Sequence, residues 1–592
     1  MELSNLILSE VLTRAGCLEE TDFAGHRASE MRAVSLGITW LLLGALAVAS
    51  GNVSGAQAFD VLIRNGTIVD GTGGQPFRGD VGIAGDRIAA IGDLHSASAR
   101  TVVDARGLTI SPGFINSFSW GTVSLLQDPR AQSDVRQGVT LEILSEGSSP
   151  GPLTEDMRRN SAKEFGFPGS QVPWTTLGEY LDFLQAKGTS VNFTSYVGAT
   201  TVRQYVLGGA SRAPTAQELE RMAALVERAM QQGAVGVSSA LIYVPGSYAS
   251  TDELVALARA AGKYGGTYTS HIRSEGNKLL EAIDEFITIL RRSGAPGELN
   301  HLKAAGMNNW GKIDAAIARL EKARATGAHL NANMYTFDAG ATSLTACVPR
   351  WVQQGGLAVW RQRLQDPDVR PRLVAEMRED SDQWENLLRL SGPDGVTPLS
   401  FENPKFAAYA GRSIAAIAVE RHSSPEETVL DLLAEDGGAI FSAYHFISEN
   451  NIRKEVRLPW LSFGSDADTG PEGEFPRSFP HPRAYGNFAR VVGDFVREEK
   501  IISLPEAVHR LAYLPAEIHH LRDRGLLKVG YFADIAVFDA DRVASEATYE
   551  HPRQYASGMR YVLVNGVMVL RDGEHTGATP GRIVRGPGWH KH

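Results

Sequence analysis

The sequence is poor in cysteine, in long apolar runs and in clustered basic residues. Only Cys17 and Cys347 occur among 592 residues, so if the N-terminus is removed no internal disulfide can form and the fold depends on its core. The formal charge is -10, and the absence of a Lys/Arg run argues against a nucleic-acid partner. With 43% hydrophobic and 21% charged residues, the composition is typical of a globular protein.

The one extended apolar run belongs to a predicted targeting signal. From Met31 the chain has one Arg, an apolar stretch over residues 34–48 and an Ala-Gln-Ala ending at Ala58, the order of a secretory signal peptide. Residues 1–30 carry six acidic residues against two Arg, which does not suit such a signal, so we expect translation to begin at Met31. The mature chain then begins near Phe59, exported to the periplasm or medium, with no stable membrane span; an uncleaved anchor is the alternative.

Short β-rich runs at both ends of the mature chain flank a long middle region. Residues 59–112 and 526–592 contain Asn-Gly and Gly-rich turn signals between short strands, and we expect them to form one small β-sandwich, the second part ending in a tail. Residues 113–525 alternate apolar strand-like runs with amphipathic helices, which predicts a (β/α)8 barrel of the α/β class. Residues 350–440 fit this alternation poorly and are interpreted as a helical insertion.

Four polar residues follow predicted barrel strands, where the active sites of such barrels lie. They are Glu146 after VTLEILS, His271 ending TYTSH, His301 ending GELNH, and Asp466 in FGSDAD. Two imidazoles and a carboxylate are a common ligand set for catalytic zinc, and Asp466 would remain free to take a proton. Spacing alone leaves the structural alternative open, because a His at a strand end is commonly a hydrogen-bonded core residue.

Longer motifs indicate a family. PGFI, TSHIRSEGNKLLEAIDEFITI, NHLKAAGMNNWGK, GSDAD, HPRAYGNFARVVGDFVRE and DRGLLKVGYFADIAVFD appear in this order, and from about Phe59 onward the chain resembles the N-acyl-D-amino-acid deacylase (D-aminoacylase) branch of the amidohydrolase superfamily. The resemblance implies a (β/α)8 barrel with a two-ended β-sandwich, and zinc-dependent hydrolysis of the amide in N-acyl-D-amino acids.

The resemblance also implies roles for individual residues. His271 and His301 look like the two zinc-binding imidazoles, Asp466 resembles the general acid/base, and Glu146 falls where D-aminoacylases have a metal-binding Cys. The residues that look like substrate contacts are Lys303, Tyr335 and Arg483.

The first predicted barrel strand departs from the family. Where the family has Asp-x-His-x-His, this chain has Asn116, Ser117, Phe118, Ser119 and Trp120. The usual two-metal site therefore cannot form, and we expect one divalent metal, zinc in the first place. A carboxylate in place of a thiolate would also accept manganese or iron. Phe118 and Trp120 would then wall the pocket beside the metal.

Two other functions remain open from the sequence. An amidohydrolase of this kind could act on another C–N bond, in a cyclic imide, an N-acyl dipeptide or an acylated metabolite. Alternatively, the barrel could be a catalytically impaired binding protein, which the two missing His favour and the retained Glu, His, His and Asp oppose. In every case the expected partner is a small molecule.

Overall fold

The computed structural model describes residues 58–354, 357–436, 440–470 and 481–590. The predicted signal peptide lies outside these residues except for Ala58, which begins the first strand. Within the described ranges, no helix combines the length and the hydropathy needed to cross a membrane.

The strands fall into a terminal group and a central group. Numbered along the chain, they are β1 (Ala58–Ile68), β2 (Phe77–Ala84), β3 (Arg87–Gly92), β4 (Ser98–Asp104), β5 (Thr109–Pro112), β6 (Phe114–Ser119), β7 (Val139–Leu144), β8 (Asn192–Ser195), β9 (Val197–Gly198), β10 (Gly236–Ala240), β11 (Thr267–His271), β12 (Gly297–Leu299), β13 (Leu330–Met334), β14 (Ala339–Ser343), β15 (Val396–Ser400), β16 (Phe441–His445), β17 (Leu461–Phe463), β18 (Ile535–Phe538), β19 (Met559–Val564), β20 (Val567–Arg571) and β21 (Glu574–His575).

Most helices lie between the central strands or in the segment before β17. The α-helices are Ser124–Gln127, Gln132–Val135, Glu155–Asn160, Leu177–Lys187, Ala199–Leu207, Ala216–Gln231, Thr251–Gly262, Leu279–Ser293, Ile313–Ala325, Leu357–Gln365, Arg370–Arg378, Leu387–Ser391, Ile414–Glu420, Pro425–Asp436, Glu449–Val456, Arg483–Arg490, Leu504–Val508 and Leu514–Ile518. Short 3-10 or π-helical turns span Gly246–Tyr248, Met307–Lys312, Leu344–Cys347, Arg350–Gln353, Pro393–Gly395, Pro404–Tyr409, Val491–Glu498 and His509–Tyr513.

Both ends of the described chain contribute to one sheet. The described strands of this sheet run in the order β21-β20-β19-β18-β5-β1-β2-β3, with β4 paired to β1. The two halves join where β18 lies antiparallel to β5, with Ile535 opposite Pro112. The sheet buries its own apolar cluster, which includes Ile63, Val81 and Ile535.

The central strands form a parallel barrel. One arc has the order β17-β13-β12-β11-β10-β9 and the other β6-β7-β8. The arcs meet at one side because β8 and β9 follow each other along the chain, and at the other because the Asp466 N–H donates to the Phe118 carbonyl at 3.0 Å. Counting β8 and β9 as one, the described residues contain eight barrel strands. A (β/α)8 barrel is the architecture predicted from the sequence.

Local sequence accounts for the helices that cover the barrel. In the helix Leu279–Ser293 the apolar positions recur at helical spacing, and Ile283, Phe286 and Leu290 are buried against the barrel. The helix ends at Gly294, whose φ of 76° lies in the left-handed region that glycine adopts without strain.

A buried polar cluster joins the sheet to the barrel. Asp534, at the start of β18, accepts hydrogen bonds from the Asn565 N–H at 2.8 Å and from the Asn192 side chain of β8 at 3.2 Å. It also forms an ion pair with Arg524, and both of these charged side chains are almost fully buried. The cluster satisfies polar groups that would otherwise be costly to bury.

The segment 581–586 lies along the barrel at the end where the strands begin. Its backbone bonds to barrel residues: the Phe193 N–H donates to the Arg582 carbonyl at 3.1 Å, and the Gly586 N–H donates to the Gly233 carbonyl at 2.9 Å. At Gly586 a Cβ would lie 2.0 Å from the Ala234 carbonyl oxygen, so only glycine fits this close approach.

Candidate metal centre and active site

Three of the residues predicted from strand ends converge at the carboxyl-terminal end of the barrel. The Glu146 Oε1 lies 3.1 Å from His301 Nε2 and 3.9 Å from His271 Nδ1, and the two imidazole nitrogens are 3.1 Å apart. Donors at zinc bond lengths in a tetrahedral arrangement are separated by about 3.3 Å. The three side chains therefore fit a single divalent cation.

Neighbouring strands place these donors. His271 is the last residue of β11, and His301 follows β12, which pairs in parallel with β11. Glu146 comes two residues after β7, beyond Ser145, whose φ is 81°. Because the carboxyl ends of parallel strands meet at the same end of a barrel, residues far apart in sequence share one site.

Glu275, which the sequence analysis missed, contacts both imidazoles. Its Oε1 lies 2.9 Å from His301 Nδ1 and accepts a hydrogen bond from Lys303 Nζ at 2.7 Å, and its Oε2 lies 3.8 Å from His271 Nε2. A carboxylate on the far nitrogen of a metal-binding His fixes the tautomer and the ring orientation. The spacing His271-x-x-x-Glu275 after a strand was the available signal.

The site favours added positive charge. Four buried or nearly buried carboxyl groups line it together with one cation; these residues are Glu146, Glu275, Glu385, Asp466 and Lys303. A second cation, Arg483, is not a lining residue but pairs with Asp466 from behind. Burial lowers the pKa of His271 to about 4. Burial also opposes the charge on His301, yet the surrounding carboxylates Glu275, Asp466 and Glu146 raise its pKa to about 9. A bound cation would satisfy the same excess of negative charge.

Asp466 faces the same cavity from the strand end after β17. Burial raises its pKa to about 6, and the charge of Arg483 opposes this rise. The Arg483 guanidinium lies 2.8 Å from Asp466 Oδ2, whereas Asp466 Oδ1 has no hydrogen-bond partner among the described residues. One oxygen is thus held and the other is available to a ligand.

The predicted substrate contacts lie beside the donor set. Arg483 stacks over the Tyr335 ring at 4.6 Å, and the Lys303 ammonium lies 5.4 Å from the same ring. Lys303 is already bound to Glu275, while Arg483 Nε makes no hydrogen bond to a described residue. Lys303, Tyr335 and Asp466 line a cavity of about 30 Å³ that also contains the donor set.

The two aromatic residues of β6 and its end take different positions. Trp120 lines the cavity and lies 5.3 Å from the Arg483 guanidinium. Phe118 is not among the cavity-lining residues; it packs against the His301 ring with centroids 5.6 Å apart and is almost fully buried. Trp120 therefore lines the cavity, whereas Phe118 packs behind the His301 ring.

Asn116 lies away from the donor set and donates hydrogen bonds to a pair of buried carboxyl groups. Its Nδ2 donates to Glu142 Oε2 at 3.0 Å, to Ser465 Oγ at 2.8 Å and to Asp134 Oδ1 at 3.3 Å. Burial raises the pKa of Asp134 to about 6 and the pKa of Glu142 well above its usual range. These groups anchor β6 to β7 within the barrel.

Glu385 reaches the site from the helical segment inserted before β16. It accepts hydrogen bonds from Ser274 Oγ at 3.0 Å and from the Gly276 N–H at 2.7 Å. Burial and the nearby Glu275 raise its pKa to about 7. Sequence reasoning did not find it, because it lies over 100 residues from its partners and follows no barrel strand.

Comparisons with known proteins identify similar chains. The sequence profile described as Amidohydrolase family matches residues 101–570. The chain is 32% identical over 532 residues to N-acyl-D-glutamate deacylase of Alcaligenes xylosoxydans xylosoxydans, covering 89% of this chain and 97% of that protein. It is also 32% identical to D-aminoacylase of the same organism, covering 90% and 98%.

Solved structures show the same fold. The crystal structure of D-aminoacylase, reported to define a novel subset of amidohydrolases, superposes with a TM-score of 0.74 at 30% identity and covers 89% of this chain and 100% of that one. N-acyl-D-glutamate deacylase from Bordetella bronchiseptica, complexed with zinc and a phosphonate mimic of the tetrahedral intermediate, gives a TM-score of 0.74 at 28% identity with the same coverage.

Proposed function

This chain belongs to the amidohydrolase family, and from that premise we propose that it is a metal-dependent hydrolase that deacylates N-acyl-D-amino acids to a carboxylate and a free D-amino acid. The observation that carries the proposal is that Glu146, His271 and His301 converge in one cavity. Asp466 lines the same cavity, with one carboxylate oxygen paired to Arg483 and the other without a partner among the described residues. The deacylase and D-aminoacylase relatives, each matched over nearly its whole length, support the substrate class.

The proposed cofactor is one divalent cation held by Glu146, His271 and His301, and zinc is the preferred candidate. When bound, the cation supplies a Lewis acid for the amide carbonyl and lowers the pKa of water. A carboxylate in the donor set also accepts manganese or iron. Phe118 and Trp120 offer no donor atoms for a second ion on β6. A solved structure of D-aminoacylase is described by a binuclear metal center, with one-metal activation and second-metal attenuation in that protein.

Asp466 is the proposed general base and acid. Its Oδ1 takes a proton from the water whose oxygen attacks the amide carbon, and returns that proton to the nitrogen as the C–N bond breaks. Arg483 holds Oδ2, so that the free oxygen keeps its orientation. Burial raises the pKa of this carboxyl towards neutrality, which suits a group that must both take up and release a proton.

Arg483 is the proposed contact for the substrate carboxylate. Its guanidinium is buried between Tyr335 and Trp120 and has N–H groups without partners among the described residues. A guanidinium of fixed orientation binds a carboxylate through two hydrogen bonds and so selects an acylated amino acid over a simple amide.

Metal analysis and paired substrates test the proposal. We expect about one divalent metal per chain and hydrolysis of N-acetyl-D-amino acids but not of their L enantiomers. Purified protein without metal and without turnover on any amide would support the binding-protein alternative. Activity confined to cyclic imides or N-acyl dipeptides would move the substrate to another C–N bond.

We further propose that the protein is exported and cleaved near Ala58. The charge pattern of residues 31–58 supports this. N-terminal sequencing of protein recovered outside the cytoplasm should give a start near Phe59, and a mature protein that starts at Met1 would contradict it.

A further inference from the structure

A second, larger cavity lies next to the proposed active site. Its volume is about 230 Å³, against about 30 Å³ for the cavity at the donor set. Glu385 lines both cavities, so they are neighbours on either side of one side chain. Ligand sites usually measure about 300–1,000 Å³, and the small cavity alone is far below that range. The larger cavity is the space available for the part of a substrate that extends away from the amide.

The charged walls of this larger cavity are mostly neutralised. Three of its cations are paired with acidic residues across the wall, and these pairs are Arg273–Glu285 at 2.8 Å, Lys278–Asp382 at 3.0 Å and Arg389–Asp380 at 3.5 Å. Lys278 also lies 3.8 Å from Glu281. The remaining charged wall residues are Arg350 and Glu385.

Arg350 is a cation that makes no ion-pair contact with a described residue. Among the residues that the structure describes, it has no carboxylate within 4.0 Å and donates no side-chain hydrogen bond. Burial and the neighbouring Arg273 lower its pKa from the usual value, which reflects an unfavourable place for a positive charge. Glu385 attracts this charge across the cavity but lies beyond ion-pair distance, and its Oε1 accepts hydrogen bonds from Ser274 and from two backbone N–H groups.

We propose that this cavity binds a second anionic group of the substrate, a carboxylate on the amino-acid side chain or at the far end of the acyl group, and that Arg350 is the residue that recognises it. A guanidinium presents its N–H donors in a fork that fits a carboxylate in two hydrogen bonds. This inference rests on the proposed deacylase function and narrows it to N-acyl amino acids that carry two carboxylates.

Substrate pairs that differ in charge but not in size test the inference. N-acetyl-D-glutamate is compared with N-acetyl-D-glutamine, and N-succinyl-D-alanine with N-succinamoyl-D-alanine, so that each pair locates the second carboxylate on one side of the amide. We expect kcat/KM to favour the anionic member of one pair by about 10- to 100-fold, the worth of hydrogen bonds to a charged group.

Substitutions test whether Arg350 causes the preference for the anionic substrate. Arg350→Met should remove the preference while leaving kcat/KM for the neutral member unchanged, and Arg350→Lys should retain part of it. Arg389→Met is the matched control, since Arg389 lines the same cavity but is already paired with Asp380. Equal rates within both wild-type pairs, or an Arg350→Met variant that loses both members alike, would overturn the inference.

A binding measurement separates this inference from the proposed function. Glutarate, a dicarboxylate, and butyrate, a monocarboxylate, can be tested as ligands without any reaction. The shift in the thermal unfolding midpoint that each one causes is measured on the wild type and on Arg350→Met. A larger shift for glutarate that disappears in the variant supports the cavity assignment even if no N-acyl amino acid is hydrolysed. Equal shifts for the two acids refute it whatever the activity.

Discussion

Replacing Glu275 by Gln is expected to weaken metal binding although Glu275 is not itself a proposed ligand. The carboxylate lies 2.9 Å from the far nitrogen of His301 and is bound by Lys303 at 2.7 Å. The amide keeps the size of the side chain but removes the negative charge that interacts with His301 and Lys303. Lys303 would then stand beside His301 uncompensated, since their nitrogens are 2.8 Å apart.

The size of this effect follows from the type of contact. Loss of a carboxylate that orients a metal-binding His usually costs about 10- to 100-fold in metal affinity. That is about 1.4–2.7 kcal/mol of binding free energy. We expect Glu275→Gln in the lower half of this range, because its amide oxygen can still accept from His301, and Glu275→Ala in the upper half.

Chelator competition measures this directly. Metal-free protein is titrated with zinc in the presence of a chromogenic chelator, and circular dichroism confirms that each variant is folded. Glu281→Gln is the control, because Glu281 lies on the following helix and is mostly exposed. Zinc affinities of Glu275→Gln and Glu275→Ala within twofold of the wild type would show that Glu275 does not position the ligands.

Three further changes test other parts of the structure. Asp466→Asn should lower kcat by about 10²- to 10⁴-fold at unchanged metal content, and near-normal turnover would exclude it as the proton carrier. Asp534→Ala leaves Arg524 buried and unpaired, so urea unfolding should show a loss of about 3–5 kcal/mol, and a loss below 1 kcal/mol would contradict this. Burial raises the pKa of Asp134 to about 6 in the folded state, so the native protein binds its proton more tightly than the unfolded chain, and the free energy of unfolding should fall as pH rises from about 4 to about 6. Asp134→Asn should remove that part of the slope, and equal slopes for variant and wild type would argue against it.

Local sequence patterns predicted the elements well. The runs TYTSH, GELNH and WLSFGSD form β11, β12 and β17 or their ends, because buried parallel strands need only short apolar or β-branched stretches. The capping box at Thr215 and Glu218 is present with both hydrogen bonds, at the start of the helix Ala216–Gln231. Such signals depend on residues a few positions apart, which a sequence displays directly.

The site was predictable only where it follows strand ends. Glu146, His271, His301 and Asp466 share one cavity, as the topology of a parallel barrel requires. Arg350 and Glu385 come from the inserted helical segment, whose position over the barrel is set by tertiary packing. No periodicity in the sequence connects Glu385 with Ser274, so their contact could not be read in advance.

The close contact of residues 581–586 with the barrel has a consequence for the order in which the protein can fold. Ribosomes make β8 early, yet the backbone that hydrogen-bonds to Phe193 is made nearly 400 residues later, at Arg582 and Val584. Until then this end of the barrel remains uncovered, and β5 lacks β18 as its neighbour in the sheet. Co-translational folding therefore cannot reach the native state, and the nascent chain spends most of its synthesis with open edges that favour association with chaperones or with other chains.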